Sequence, residues 1–194
     1  MRDTGVSPEH QSLRARIADA DEAVFQSVAA YHAPMLDRTL PDLSVIASYS
    51  RIWLGISAIL GIFGGRKERI AAVEGLVAVG LTSFLANLVL KRLIPRQRPT
   101  QPVPETRELP DPESSSFPSG HTASGAAYAG AVGRALPRWW APLNTLAATI
   151  GFSRVYTGVH HPSDVVVGWM LGKTVASVVR RSHLVPRLAS RLGT

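Results

Sequence analysis

The strongest constraint in this sequence is an alternation. Five apolar stretches, at residues 43–64, 70–90, 122–136, 139–152 and 165–179, are joined by polar connections that are short except at 92–117. Helices satisfy their own backbone hydrogen bonds, so runs of this kind suit lipid or the dry core of a bundle. A spanning helix needs about 20 apolar residues, and only 70–90 supplies them unaided. The other runs draw on flanking residues. The long connection carries Pro95, Pro99, Pro102, Pro104, Pro110 and Pro112, so it cannot be one continuous helix. Loops of that length are functional or disordered.

Small residues recur within the runs at spacing four: Gly125, Ala129 and Gly133, then Gly168 and Gly172. That spacing lets helices approach closely in lipid. Trp139 and Trp140 sit where an interfacial aromatic belt belongs. Ahead of the runs, Leu13, Ile17, Ala20, Val24, Val28 and Tyr31 recur at helical spacing among charges, and Pro34 and Pro41 mark the exit. This helix lies on a membrane surface or against other helices, or else is plainly solvated. The expected fold is all-α: a polytopic transmembrane bundle of about five spanning helices plus an N-terminal amphipathic helix. The expected organisation is a polar segment at 1–42, a membrane-embedded domain at 43–181 with its 91–118 loop near the site, and a basic tail at 182–194.

With 194 residues there is room for one domain and none for a separate cofactor domain. The chain has no cysteine, which excludes disulfides and thiolate metal sites. A net charge of +7 suits an anionic partner. The cations cluster at helix ends with no aromatic-interleaved basic surface, so nucleic acid is not that partner. The N-terminus lacks the apolar core and cleavage site of a secretory signal.

Three clusters carry the chemistry. The first is Lys91, six residues, then Arg98-Pro99; the second is Pro118-Ser119-Gly120-His121. The third is Ser153-Arg154, five residues, His160, three residues, then Asp164. Each lies where an apolar run ends or begins. Alternating crossings therefore bring all three to one side of the bilayer.

Lys91, Arg98 and Arg154 offer more positive charge than helix ends need. Arginine matches phosphate oxygens in bidentate geometry, and lysine acts as a point charge. Ser119 resembles an N-cap, so the amides of Gly120 and His121 point from a helix start toward an anion. This is a phosphate cradle without the carboxylate cluster that a divalent metal requires. Of the two histidines, His160 has a carboxylate four residues away and is the better nucleophile, with His121 the better general acid. Asp164 fits an orienting role, holding one ring nitrogen of His160 protonated; the plainer alternative is a helix-start acid. No cofactor or metal is called for.

In order and spacing, these clusters resemble the signature of the type 2 phosphatidic acid phosphatases, a superfamily that also includes the vanadium haloperoxidases. The resemblance covers roughly residues 43–181. It implies that Lys91, Arg98 and Arg154 bind phosphate, with Ser119 and Gly120 completing the cradle. It implies a phosphohistidine on His160, oriented by Asp164, while His121 protonates the leaving group and then activates water. It also implies a metal-free reaction on a membrane lipid phosphate such as phosphatidic acid, phosphatidylglycerol phosphate, or a polyprenyl phosphate or diphosphate. Many members have three crossings before the first cluster, whereas two apolar runs precede it here.

Of the remaining polar residues, Arg92, Arg96 and Arg107 read as contacts to a second phosphate or a charged headgroup, or as part of a solvated loop. His161 reads as a local hydrogen-bonding residue. Glu74 and Lys173 lie on the helix halves away from the clusters, which favours pairing or snorkelling. Cations on that far side, Arg66, Lys67, Arg69, Arg134, Arg138, Arg180, Arg181, Arg187 and Arg191, place it in the cytoplasm. The site then faces outward from a plasma (inner) membrane. Two rival readings are a soluble phosphatase or vanadate-dependent haloperoxidase, and a non-enzymatic lipid-phosphate binder or transporter. Oligomeric state is not legible.

Overall fold

Alanine and glycine dominate the stretch that becomes the central helix, α6 (Gly120–Ala135), and they set the architecture around it. The computed structural model describes residues 13–100, 102–109, 114–182 and 185. Pro110, Pro112 and nearly all of the basic tail, with Arg187 and Arg191, lie outside the described residues. α6 is buried along most of its length. Around it pack α4 (Arg66–Ser83), α7 (Trp140–Tyr156) and α8 (Pro162–Ser182). α3 (Arg51–Phe63) packs on α4, and α2 (Pro34–Ile46) packs on α7. α1 (Leu13–Ala30) lies across α7 and α8, and α5 (Lys91–Leu93) is a single turn. The described residues contain no strand, so the all-α expectation holds.

Close approach explains the small residues. A side chain on Gly168 would reach within 2.6 Å of the Ser119 carbonyl oxygen, and one on Gly172 would overlap the Ala123 carbonyl. α8 can therefore seat against α6 only with glycine at both positions. Side-chain size sorts the same way on α4 and the helical turns that continue it. Ala71, Ala72, Gly75, Ala78, Thr82 and Ala86 face the bundle, whereas Val73, Val77, Leu81, Phe84 and Leu88 are exposed. Small residues inside and large apolar ones outside invert the pattern of a water-soluble helix.

By length and composition, the 28-residue helical stretch Arg66–Leu93 can cross a membrane. It contains the run that the sequence marks as sufficient. Its upper part, Phe84–Leu90, is π-helical, a distortion common at functional sites. The 43–64 run is not a single helix. Ser48–Ser50 forms a 3₁₀ turn between α2 and α3, and the two arms bend by 62°. Tyr49 and Ser50 there take φ of 54° and 59°, left-handed conformations that cost about 1–3 kcal/mol each for such residues. Pro34 opens α2, where its missing N–H is harmless. Pro41, expected to lie between helices, sits inside α2 instead.

α1 presents Asp21 and Phe25 to the bundle, while Ile17, Val24 and Tyr31 stay exposed. The 92–117 loop is braced at its two ends. The Ser116 amide donates to the Arg96 carbonyl at 2.9 Å, and the Arg96 amide donates to Ser115 Oγ at 3.0 Å. Its middle is held by Arg107, which is fully buried and is neither a headgroup contact nor solvated. Arg107 donates to Asp37 at 2.5 Å and to the carbonyls of Ala29 and Tyr31 at the end of α1. Its guanidinium also lies over the Tyr156 ring, 4.1 Å from the centroid.

Candidate active site

The three sequence clusters meet at one end of the bundle, where α6 and α8 begin and α7 ends. An open cavity of about 850 Å³ lies there, and Lys91, Arg98, Gly120, His121, Arg154 and His160 all line it. Ser119 and Asp164 are fully buried and absent from its lining. Ser119 is the N-cap of α6 by position, but its hydroxyl accepts from Thr122 Oγ1 at 3.0 Å and caps no backbone amide. Its own amide donates to the Asp164 carbonyl at 3.0 Å, which ties the start of α6 to the start of α8. The second cluster thus shows the cavity Gly120 and His121, with Ser119 behind them.

Each cation is held by hydrogen bonds to the protein. Lys91 Nζ donates to Ser114 Oγ at 3.1 Å. Arg98 donates to the Val159 carbonyl at 2.5 Å and to the Ser114 carbonyl at 3.0 Å. Arg154, 4% exposed, donates through Nη1 to Ser44 Oγ of α2. Its Nε is buried and has no partner among the described residues. A buried guanidinium N–H without an acceptor is costly.

The histidines differ in surroundings. His160 is 2% exposed and sits in the turn between α7 and α8. Its Nδ1 lies 3.5 Å from Asp164 Oδ2, long for a hydrogen bond, and 3.4 Å from Ser116 Oγ. Burial pushes its pKa down to about 4 against the opposing pull of Asp164; Arg154 and Arg98 lower it further. At neutral pH the ring is therefore uncharged and carries a free lone pair. His121 Nε2 lies 3.3 Å from Ser48 Oγ in the strained turn after α2.

Asp164 is more heavily engaged than its spacing foretold. Oδ2 accepts from Ser116 Oγ and, at 2.9 Å, from the His161 amide. Oδ1 accepts from Arg96 Nη1 at 2.7 Å. Arg96 also pairs with Asp21 of α1 at 2.5 Å, so it is neither a headgroup contact nor part of a solvated loop. Among the described residues His161 Nδ1 is buried without a hydrogen-bond partner, and the local hydrogen bonds of His161 run through its backbone amide and carbonyl. Lys173 pairs as expected, donating to Asn144 and lying 4.8 Å from the Trp169 ring centroid.

Sequence reasoning missed Ser44, Ser48, Ser116 and Arg96, together with Asn87, which lines the cavity from the π-helical segment. A side chain on Gly120 would come within 2.9 Å of Asn87 Oδ1, so glycine here leaves the Asn87 amide its room beside the start of α6. Among the described residues, no group of three or more His, Cys, Asp or Glu is placed to hold a metal ion.

Residues 71–186 match the family model described as the PAP2 superfamily. Among characterised proteins, the chain is similar to the decaprenylphosphoryl-5-phosphoribose phosphatase of Mycobacterium tuberculosis (strain CDC 1551 / Oshkosh). The two are 37% identical over 161 residues, covering 78% of this chain and 86% of that protein. It is 35% identical over 144 residues to the undecaprenyl-diphosphatase of Sulfolobus acidocaldarius, covering 71% and 68%. Its fold resembles the crystal structure of a transmembrane PAP2 type phosphatidylglycerolphosphate phosphatase from Bacillus subtilis. That likeness has a TM-score of 0.70 at 28% identity and covers 88% of this chain and 86% of that one.

Proposed function

Because the chain belongs to the PAP2 superfamily, as a membrane protein and a phosphoric ester hydrolase, we propose that it removes phosphate from a membrane lipid through a phosphohistidine on His160. The observation that carries this reading is the convergence of Lys91, Arg98 and Arg154 on the cavity that His121 and His160 also line. Three cations there offset the charge of a phosphoryl group, and the unpartnered Arg154 Nε offers one donor to its oxygens. The amides of Gly120 and His121 at the start of α6 add the helix-terminus contribution, with Ser119 supporting them from behind.

In the proposed reaction, His160 holds its proton on Nδ1, facing Asp164, and attacks phosphorus with the Nε2 lone pair. The P–O bond to the lipid breaks, and His121, carrying a proton taken up with the bound phosphate, gives it to the departing oxygen. Water then attacks the phosphohistidine and loses a proton to His121. The P–N bond breaks, releasing phosphate and restoring His160. No step calls for a metal.

The exposed Val, Leu and Phe side chains of the Arg66–Leu93 stretch and the exposed Trp139 and Trp140 support embedding in lipid. They weigh against an aqueous phosphatase or haloperoxidase. We assign five crossings: the bent α2–α3 pair, the Arg66–Leu93 helix, α6, α7 and α8, with α1 folded over the catalytic end. This refines the 43–181 domain, because α2 runs through residue 42. Arg66, Lys67, Arg134, Arg138, Arg180 and Arg181 lie at helix ends opposite the cavity, which supports an outward-facing site in a bacterial-type inner membrane. Candidate substrates are phosphatidic acid, phosphatidylglycerol phosphate, and polyprenyl phosphates or diphosphates.

Phosphate release by detergent-purified protein over that panel, in excess chelator, tests the reading. Release from at least one lipid is expected, and His160→Ala abolishes it. No release from any lipid leaves a non-enzymatic binder as the better account.

A further inference from the structure

The N-terminal helix supplies a carboxylate that the reaction above does not use. Asp21 is 5% exposed although most of its helix is exposed, with Phe25 the other buried side chain among the described residues. Its Oδ1 accepts from the Ser163 amide at 2.7 Å, and its Oδ2 accepts from Ser163 Oγ. Oδ2 also takes Arg96 Nη2 at 2.5 Å. The other arm of the same guanidinium, Nη1, reaches Asp164 Oδ1 at 2.7 Å and Ser163 Oγ at 2.6 Å. One arginine therefore bridges two buried carboxylates, one on α1 and one beside His160.

We infer that Asp21 is a positioning residue for the reaction, acting through Arg96 to hold the Asp164 carboxylate in the orientation that faces His160. The inference rests on the proposed roles of His160 and Asp164. Asp164 must accept from Arg96 on one oxygen and keep the other toward Nδ1 of His160. A guanidinium held at only one end can swing, and its fork then no longer fixes the plane of the carboxylate. Asp21 supplies the second hold, and its charge offsets part of the positive charge that Arg96 places on Asp164. α1 thereby becomes part of the active-site assembly, although no sequence signature marks it.

A plainer role exists for Asp21 as a cap on α8, and charge separates the two. Asparagine caps a helix as well as aspartate does, so Asp21→Asn preserves capping while it removes the ion pair. The test compares Asp21→Asn, Arg96→Gln and the double variant for kcat and KM, each checked for folding by gel filtration and thermal melting in detergent. Asp21→Asn is expected to lower kcat about tenfold with KM within about twofold, and Arg96→Gln to lower it about a hundredfold. The double variant should be no worse than Arg96→Gln, because Asp21 acts only through Arg96. If Asp21→Asn does not purify folded, Ser163→Ala carries the same test and should lower kcat severalfold. A wild-type kcat in Asp21→Asn, or a double variant that shows the product of the single effects, overturns the inference. His160→Ala and Asp164→Asn run alongside. Full activity in His160→Ala sinks the proposed mechanism itself, whereas an inactive His160→Ala beside an unaffected Asp21→Asn sinks only the role of Asp21.

Discussion

Asp164 Oδ2 lies 3.5 Å from Nδ1 of His160 and accepts from the Ser116 hydroxyl and the His161 amide as well. A carboxylate oxygen shared in this way is fixed in space, and in the proposed reaction it orients the imidazole in turn. In the proposed reaction it selects the tautomer with the proton on Nδ1 and stabilises the cation that forms on attack.

Asp164→Asn keeps the shape and removes the charge. Steady-state kinetics of phosphate release should show kcat lowered by about 1,000-fold with KM little changed. A variant within tenfold of wild type would leave Asp164 as no more than a helix-start acid.

Ser116→Ala deletes one buried, charge-assisted hydrogen bond to the same oxygen. The expected loss in kcat is about tenfold, in keeping with the worth of one such bond. Unchanged kcat would mean that the remaining donors hold the carboxylate by themselves.

His160 should titrate at about 4, well below its ordinary 6.5, because burial disfavours the imidazolium. Asp164 opposes that shift, so Asp164→Asn should lower the midpoint further still. Magnetic-resonance titration of isotope-labelled histidine in micelles checks both. A midpoint near 6.5, or an upward move in the variant, contradicts the environment described for the ring.

Arg107 tests the loop. It is fully buried and joins Asp37, two carbonyls at the end of α1 and the Tyr156 ring. Arg107→Ala strips those acceptors of their partner, and the melting midpoint in detergent should fall by about 5–10 °C. Below the new midpoint kcat should stay within a few-fold, since Arg107 does not line the cavity. A large loss of kcat with no change in melting would assign it a part in the chemistry.

The residues legible in the sequence share one property, short-range spacing. Lys91 with Arg98, Gly120 with His121, and Arg154 with His160 and Asp164 each sit within one loop or helix junction. Alternation of the apolar runs was enough to bring them to one end. Gly168 and Gly172 were legible as close-packing positions for the same reason. What stayed hidden depends on distant partners: Asp21 meets Ser163 and Arg96, Ser44 meets Arg154, and Ser116 meets Asp164. A lone serine or a helix-surface aspartate carries no periodic signal that it will be buried. The bend at Ser48–Ser50 was hidden too, because neither glycine nor proline marks it. Arg96 and Arg107 looked like solvent-facing loop cations because their carboxylate partners lie on α1, α2 and α8.

The most direct measurement is to trap the covalent intermediate. Purified protein in excess chelator is mixed with a lipid substrate carrying radiolabelled phosphate, quenched within the first turnover and separated under alkaline conditions, where phosphohistidine survives. A phosphohistidine pathway requires label on the wild-type chain, lost on acid treatment and absent from His160→Ala. Label that persists in His160→Ala, or turnover at full rate with no trapped label in either protein, contradicts His160 as the nucleophile.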